Sequence, residues 1–357
     1  MNLGERMRLR FNFNQRNAYA ICAPNSHTLG WLVKMEKTES GQQSVSRTAL
    51  EAISRSGISR SIRYLISAIL RHYPLKTGFD TIALSKPLAL FALGERHEIV
   101  RLRNGTALLV FTNEHVGRVL MYMGDLDPRI TYLLGKLLGP GDKVLDIGAN
   151  VGWFTMNAAK LVGSGGQVHS FEPQPRLAAA LRASVVLNEF SQVKVHDYAL
   201  SDCDTEMTLH VQDGNLGMAS LLAPAHGSFT MQTVPVRNAA NALGELHLGT
   251  LRLMKLDVEG HEAVVLNACK ALFDQTPPEI VMFESNGEGG PLVERDTLKF
   301  LFARNYRIFG FEHSRRHVKL REQRPDQPSI PESNDYVAFI DGPSIHTDLA
   351  KLMVVDG

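Results

Sequence analysis

Cysteine is scarce in this chain and long apolar runs are absent, and each shortage narrows what the protein can be. Its 357 residues include three cysteines, Cys22, Cys203 and Cys269, far apart and in no C-x-x-C pair. That argues against a disulfide framework and a structural zinc site, and for a reducing, cytoplasmic setting. No stretch is long and apolar enough to cross a bilayer. Arg6, Arg8 and Arg10 are not followed by a continuous apolar run, so a secretory signal is not expected. The net charge is +1 and aromatic residues make up 7%, which gives little support to a nucleic-acid-binding face. There is no H-E-x-x-H, no phosphate-binding P-loop lysine and no G-x-G-x-x-G. What is present, 44% hydrophobic and 21% charged residues, suffices for a buried core in one large domain or two ordinary ones.

The most informative stretch runs from Gly141 to Gly152. A Pro140-Gly141 turn signal opens it, the apolar strand Val144-Leu145-Asp146-Ile147 follows, and Gly148-Ala149-Asn150-Val151-Gly152 leads into the helix-compatible segment from Trp153 to Leu161. Strand, glycine turn and helix in that order open a doubly wound sheet that receives a nucleotide-like ligand. Asn150 and Trp153 stand where the second and third glycines of a dinucleotide fingerprint would be, which disfavours a dehydrogenase. A second acid, Glu172, ends the next strand just before Pro173. A carboxylate there can accept hydrogen bonds from both hydroxyls of a ribose, or serve only as a loop acid before the next helix.

These segments resemble the FkbM-type S-adenosylmethionine-dependent methyltransferases. The resemblance rests on Val144 to Thr155, on Ser170-Phe171-Glu172-Pro173, on Tyr198-Ala199-Leu200-Ser201-Asp202, on Met254 to Glu262 and on Val281-Met282-Phe283-Glu284. They follow one another in the order and spacing of that family and cover roughly residues 93–340. The resemblance implies a Rossmann-like class I fold in which an antiparallel hairpin closes the edge of a mostly parallel sheet. It implies S-adenosylmethionine as cofactor. One departure is visible: Asn238-Ala239-Ala240-Asn241 replaces the usual Thr-Leu-Asp opening of a helix. Asparagine caps helices as aspartate does, so the helix is expected to survive.

Around the motifs, alternating patterns predict seven strands, at 143–147, 167–171, 193–197, 252–256, 279–284, 306–312 and 335–340. Helices are expected at 153–161, 175–187, 261–272 and 294–304, with a further helix from Asp127 to Leu138. Asn104-Gly105 between two β-like segments predicts a hairpin over 98–111. Met207 to Val211 reads as a strand, followed by a glycine- and alanine-rich loop from Gly214 to Gly227. Residues 1–50 lack any period and are expected to be a loosely attached tail, in which Met35 could be the true start. Residues 51–125 form an N-terminal extension, 126–345 the methyltransferase domain and 346–357 a C-terminal tail. Within the extension, Ile58, Ile62, Leu65, Ile66 and Ile69 recur at helical spacing among Arg55, Arg60, Arg63 and Arg71. Such a helix commonly packs its apolar stripe on a core with the arginines in water; the same pattern over 55–71 also suits an anionic membrane surface.

Ligands of open α/β sheets sit beyond the carboxyl ends of the strands. For S-adenosylmethionine this assigns Glu172 to the ribose, and Asp146, Gly148, Asn150 and Gly152 to the turn around the methionyl end. Asn188, Tyr198 and Ala199 would face the adenine, although Asn188 would equally serve as a helix C-cap. Asp257-Val258-Glu259-Gly260-His261-Glu262 supplies acids and an imidazole at the acceptor side. His261 is the natural proton acceptor on intrinsic pKa, with Asp257 or Glu259 orienting or replacing it. Asp257, Glu259 and Glu284 are ligands suited to Mg²⁺, though no spacing demands a metal. Ser220 and Asn215 could contact acceptor hydroxyls. The expected activity is O-methylation of a sugar, glycolipid or secondary metabolite. The alternatives are an RNA methyltransferase or a cofactor-binding sensor without turnover; retention of Asp257, Glu259 and His261 weighs against the sensor.

Overall fold

A computed structural model describes residues 57–73, 78–85, 97–212, 219–221, 228–285, 295–312, 317–325 and 334–342, the short strands 20–21 and 33–34, and positions 88, 314, 348 and 352. The expected terminal tails and the Gly214 to Gly227 loop, Asn215 included, lie almost wholly outside these residues. The first elements are an antiparallel pair, β1 (Ala20–Ile21) and β2 (Val33–Lys34). Helices α1 (Gly57–Leu70) and α2 (Phe79–Ala83) precede the hairpin of β3 (His97–Arg101) and β4 (Ala107–Phe111). Asn104 shapes the hairpin turn: its Oδ1 accepts from Thr106 N at 2.9 Å and from Thr106 Oγ1 at 2.7 Å.

Helix α3 (His115–Met123), absent from the sequence expectations, leads to α4 (Pro128–Leu137). Asp127 caps α4 by accepting from Arg129 N at 2.8 Å, and Pro128 occupies its first turn. Then strand and helix alternate: β5 (Lys143–Ile147), α5 (Trp153–Val162), β6 (Gln167–Phe171), α6 (Pro175–Leu187) and β7 (Val193–His196). A side excursion follows, with β8 (Ala199–Ser201), β9 (Thr205–Gln212), β10 (Ala219–Ser220) and β11 (Phe229–Asn238) in a separate sheet of order β10-β9-β11-β8. Asn238 caps α7 (Ala239–Gly244) through Asn241 N, so asparagine does replace the aspartate there. The chain returns to the main sheet with β12 (Leu253–Leu256), α8 (Glu262–Ala268), α9 (Lys270–Gln275), β13 (Ile280–Glu284) and α10 (Asp296–Phe302). It ends with β14 (Tyr306–Glu312), β15 (Lys319–Gln323) and β16 (Asp335–Ile340).

The main sheet has eight strands, not seven, in the order β15-β14-β16-β13-β12-β5-β6-β7. Strands β7, β6, β5, β12 and β13 run parallel; β16, β14 and β15 pair antiparallel. The added strand, β15, alternates exposed and half-buried residues, an edge pattern with little apolar signal to read. Another correction concerns 261–272, which is two helices meeting at Cys269. Both faces of the sheet are buried. Val144, Val168 and Leu253 point into a core shared with α5, α6, α3 and the β3–β4 hairpin, whereas Leu145, Ile147, Met254 and Leu256 point into one built with α7, α8, α9 and α10. The hairpin thus belongs to the same packing unit as the sheet. A clamp ties it to α6: Asn188 Oδ1 accepts from Ala107 N at 2.8 Å and Asn188 Nδ2 donates to Ala107 O at 2.6 Å.

Helix α1 keeps only part of the expected packing: Ile66 of the stripe packs on the core, but the helix is rotated so that polar groups are buried beside it. Arg63 is 2% exposed and pairs with Glu98 at 2.6 Å, and Ser67 Oγ donates to Met121 O at 3.0 Å. Leu65 and Ile69, expected inside, are 63% and 65% exposed. The polar partners on the hairpin and α3 decide the rotation, because an unpaired buried arginine would be far costlier than two exposed aliphatic side chains.

Candidate active-site cleft

Two loops at the carboxyl ends of adjacent parallel strands form the floor of the cleft. The first joins β5 to α5. Gly148 has φ 83°, and a Cβ there would lie 1.8 Å from the carbonyl oxygen of Asp257, so only glycine lets the two loops touch. Asn150 also has positive φ, 53°, and its side-chain Oδ1 accepts from Val151 N at 2.6 Å. Asn150 N in turn donates to Glu172 Oε2 at 2.8 Å, while Gln174 N donates to Glu172 Oε1 at 2.9 Å. Both carboxylate oxygens are thus aimed by backbone, and the side chain lines the cleft. Burial pushes the Glu172 carboxyl up to about 7 despite those two donors.

The second loop joins β12 to α8. Glu259 has φ 54° and Gly260 φ 95°. Glu262, buried in the first turn of α8, reaches back to accept from Val258 N at 2.9 Å and Gly260 N at 3.3 Å. This local pinning turns Asp257 and Glu259 toward the cleft. Burial, with Asp257 and Glu262 adding like charge, raises the Glu259 carboxyl to about 7. Among the described residues, Asp257, Glu259 and Glu284 bring carboxylate oxygens within 4.8 Å of one another. They could hold a hard cation such as Mg²⁺, and nothing in the arrangement requires one.

Lys255 joins the two loops. Its Nζ lies 3.2 Å from both Asp146 Oδ1 and Asp257 Oδ2 and donates to Gly148 O at 2.8 Å. Burial alone would draw the ammonium down, but Asp146 and Asp257 reverse this and hold it above the ordinary lysine range. His261 closes the far side of the cleft. Its Nε2 is 2.9 Å from Ser201 Oγ, and Ser201 Oγ donates to Asp202 Oδ1 at 3.1 Å. With the Ser201 proton directed to Asp202, Nε2 carries the imidazole hydrogen and Nδ1 keeps its lone pair. Nδ1 is buried with no partner, and burial draws the ring below its ordinary pKa.

Gly148, Asn150, Glu172, Tyr198, Ala199, Asp257, Glu259 and His261 meet in one cleft of about 640 Å³, part of it open to solvent. Three expected contacts are not in its lining. Asp146 is fully buried beneath the loop, held by Lys255 and by Thr155 Oγ1 at 2.6 Å. Gly152 has φ 95° and makes room for Leu181, since a Cβ would sit 2.2 Å from its Cδ1. Asn188 serves the hairpin clamp rather than a ligand. The orienting partner of His261 is Ser201, not Asp257 or Glu259. Ser220 Oγ donates to Glu259 O at 2.8 Å and so braces the second loop. The functional residues the sequence left unassigned are Lys255 and Ser201. Both lie inside the quoted motifs, but a lysine within a strand and a serine before an acid carry no spacing signal.

Residues 146–308 match the family description "Methyltransferase FkbM domain". This part of the chain is an FkbM-type methyltransferase domain. The chain is similar to the 31-O-demethyl-FK506 methyltransferase FkbM of Streptomyces tacrolimicus, 40% identical over 105 residues, which are 29% of this chain and 39% of that relative. It therefore spans well under two thirds of the relative it matches. Solved structures with a distant likeness include an S-adenosylmethionine-dependent O-methyltransferase of Thermotoga maritima (14% identity, 71% of this chain, 81% of that one, TM-score 0.35). Others are the O-methyltransferase TomG of Streptomyces achromogenes (11%, 60%, 79%, TM-score 0.35) and an rRNA methylase of Streptococcus thermophilus (11%, 59%, 95%, TM-score 0.34). Scores this low leave the FkbM domain match as the comparison that matters.

Proposed function

We propose that the FkbM domain transfers the methyl group of S-adenosylmethionine to a hydroxyl of a small-molecule acceptor, a sugar, glycolipid or other secondary metabolite. The observation that carries this reading is the meeting of Glu172, the Gly148 turn and the Asp257–His261 loop in one cleft. The cofactor fits the polar groups available there. Glu172 accepts from the two ribose hydroxyls through lone pairs its backbone donors leave free. Tyr198, Ala199, Leu200, Leu209 and Leu221 offer an apolar slot for a flat base, and the orphaned His261 Nδ1 offers an acceptor for an exocyclic amine at its edge. When bound, S-adenosylmethionine supplies an electrophilic methyl group on a cationic sulfur.

The chain's own part is positioning and proton removal. Asp257 is engaged by the Lys255 ammonium at 3.2 Å, which commits one of its carboxylate oxygens to that cation. Glu259 is half-buried with its carboxyl near 7, the value that suits a general base at neutral pH. It takes the proton of the acceptor hydroxyl as that oxygen attacks. On this reading His261 serves as a cofactor contact rather than as the base, its Nδ1 being buried without a partner beside the cleft.

Calorimetric titration of the intact protein with S-adenosylmethionine, S-adenosylhomocysteine and NADH tests the reading. We expect the first two to bind and Glu172→Gln to weaken both. NADH binding in their place, or equal binding by the variant, would overturn it.

A further inference from the structure

The outward face of α1 is apolar where a packed helix should be polar. Tyr64, Leu65 and Ile69 are 56%, 63% and 65% exposed, and Ala68 between them is exposed as well. The rotation is not free to change, since Arg63 is buried on Glu98 and Ser67 is bonded to Met121 O. Burying the apolar face against the domain instead would strand both polar groups. Among the described residues, nothing covers the stripe.

The residues at its end point to what would cover it. The C-terminal end of α1 meets the β3–β4 hairpin, where Arg71 donates to Arg101 O. Burial, and after it the nearby charge of Arg103, draws the Arg71 guanidinium below its ordinary value. Arg101, Arg103 and His72 are exposed. Arg71, Arg101 and Arg103 gather at the tip of an exposed apolar helix face with Asp125 near Arg103 as the acid beside them, so the cluster keeps a positive surplus that a dense array of anions can meet. The imbalance extends along the chain: residues 1–72 hold 11 of the 38 lysines and arginines but 4 of the 37 acids. The remainder of the molecule is net acidic and would turn away from a negative surface.

We infer that α1, with the Arg71–Arg101–Arg103 cluster, is a docking surface for an anionic lipid bilayer. Tyr64, Leu65 and Ile69 enter the headgroup boundary while the arginines meet lipid phosphates, the arrangement of an amphipathic helix lying in the membrane plane. No helix among the described residues is long and apolar enough to cross a membrane, so contact of this kind would be peripheral.

Flotation of the full chain with vesicles of phosphatidylcholine, or of phosphatidylcholine containing phosphatidylglycerol, tests this. Binding is expected only to the vesicles with phosphatidylglycerol, and it should fall as salt is raised to about 0.5 M, where the Debye length is a few ångströms. Leu65→Ser/Ile69→Ser and Arg101→Gln alter exposed side chains and should keep the wild-type urea midpoint. The double variant should lose about tenfold or more in bound fraction, and Arg101→Gln about fivefold. Absence of wild-type binding to either vesicle would overturn the inference, as would undiminished binding by the double variant. So would a wild-type dimer in light scattering that the double variant dissolves, since a second copy would then cover the face. Tight binding of a single-stranded RNA in place of vesicles would also overturn it.

Discussion

The two loops on the cleft floor solve the same problem with different carboxylates. Each must hold a left-handed turn, at Gly148 to Gly152 in one and at Glu259-Gly260 in the other, and each is pinned by an acid that accepts from its backbone, Glu172 from Asn150 N and Glu262 from Val258 N and Gly260 N. In the first loop that acid, Glu172, comes from the end of the neighbouring strand and remains in the cleft, so one side chain both shapes the loop and lines the proposed cofactor site. In the second, Glu262 comes from the helix that follows and is buried, which leaves Glu259 and the Lys255-paired Asp257 to line the cleft. A borrowed carboxylate couples loop geometry to ligand binding; a local one separates them. Perturbing the first loop should therefore change affinity, and perturbing the second should change turnover.

The largest effect is expected where the loops are joined. Lys255→Met leaves Asp146 buried without its cation and should cost about 3–5 kcal/mol of stability by urea denaturation. A loss below about 1 kcal/mol would mean that the loops are held independently and that Lys255 adds little.

On the turnover side, Glu259→Gln should lower kcat about a hundredfold with little change in the affinity for S-adenosylmethionine. In the wild type, the rate should rise with pH through about 7 as Glu259 ionises, and the variant should lack this limb. A limb that instead disappears in His261→Asn would return the proton to the imidazole. On the binding side, Glu172→Gln should weaken S-adenosylmethionine about tenfold to a hundredfold. Affinity in the wild type should grow between pH 6 and about 8, because the ionised carboxylate is the better acceptor and its pKa sits at about 7. Stability runs the other way. The unfolded chain releases these two protons near the ordinary value of 4.5 and the folded protein only at about 7. Their contribution is full below 4.5 and is lost as pH climbs through that window.

The first loop was legible in the sequence because glycines and a strand-end acid are local signals: Gly148, Asn150 and Glu172 all reach the cleft. What sequence could not show was which way a buried group turns. Asp146 looked like a ligand contact, yet it faces Lys255, a partner 109 positions later that no short motif joins to it. Asn188 could have been cap or ligand, and the hairpin edge 81 residues earlier claimed it. The strands of the parallel sheet were legible from their continuous apolar runs, whereas β15 on the open edge had no such run. Helix α1 misled for a related reason. Periodicity locates a stripe but does not say which side the rest of the fold will claim, and Glu98 and Met121 O claimed the polar side.

The smallest expected effect gives the sharpest test of the loop comparison. Glu262→Gln keeps an oxygen that can accept from Val258 N and Gly260 N, so the second loop should hold its shape at a cost of about 1 kcal/mol. It removes, however, one of the charges that raise the Glu259 carboxyl. If the local carboxylate acts on turnover alone, the limb in the rate should move to lower pH while the affinity for S-adenosylmethionine stays at the wild-type value. An equal shift in both would show that strain at Val258 to Gly260 passes through Lys255 into the Gly148 turn, and the two loops would then count as one element.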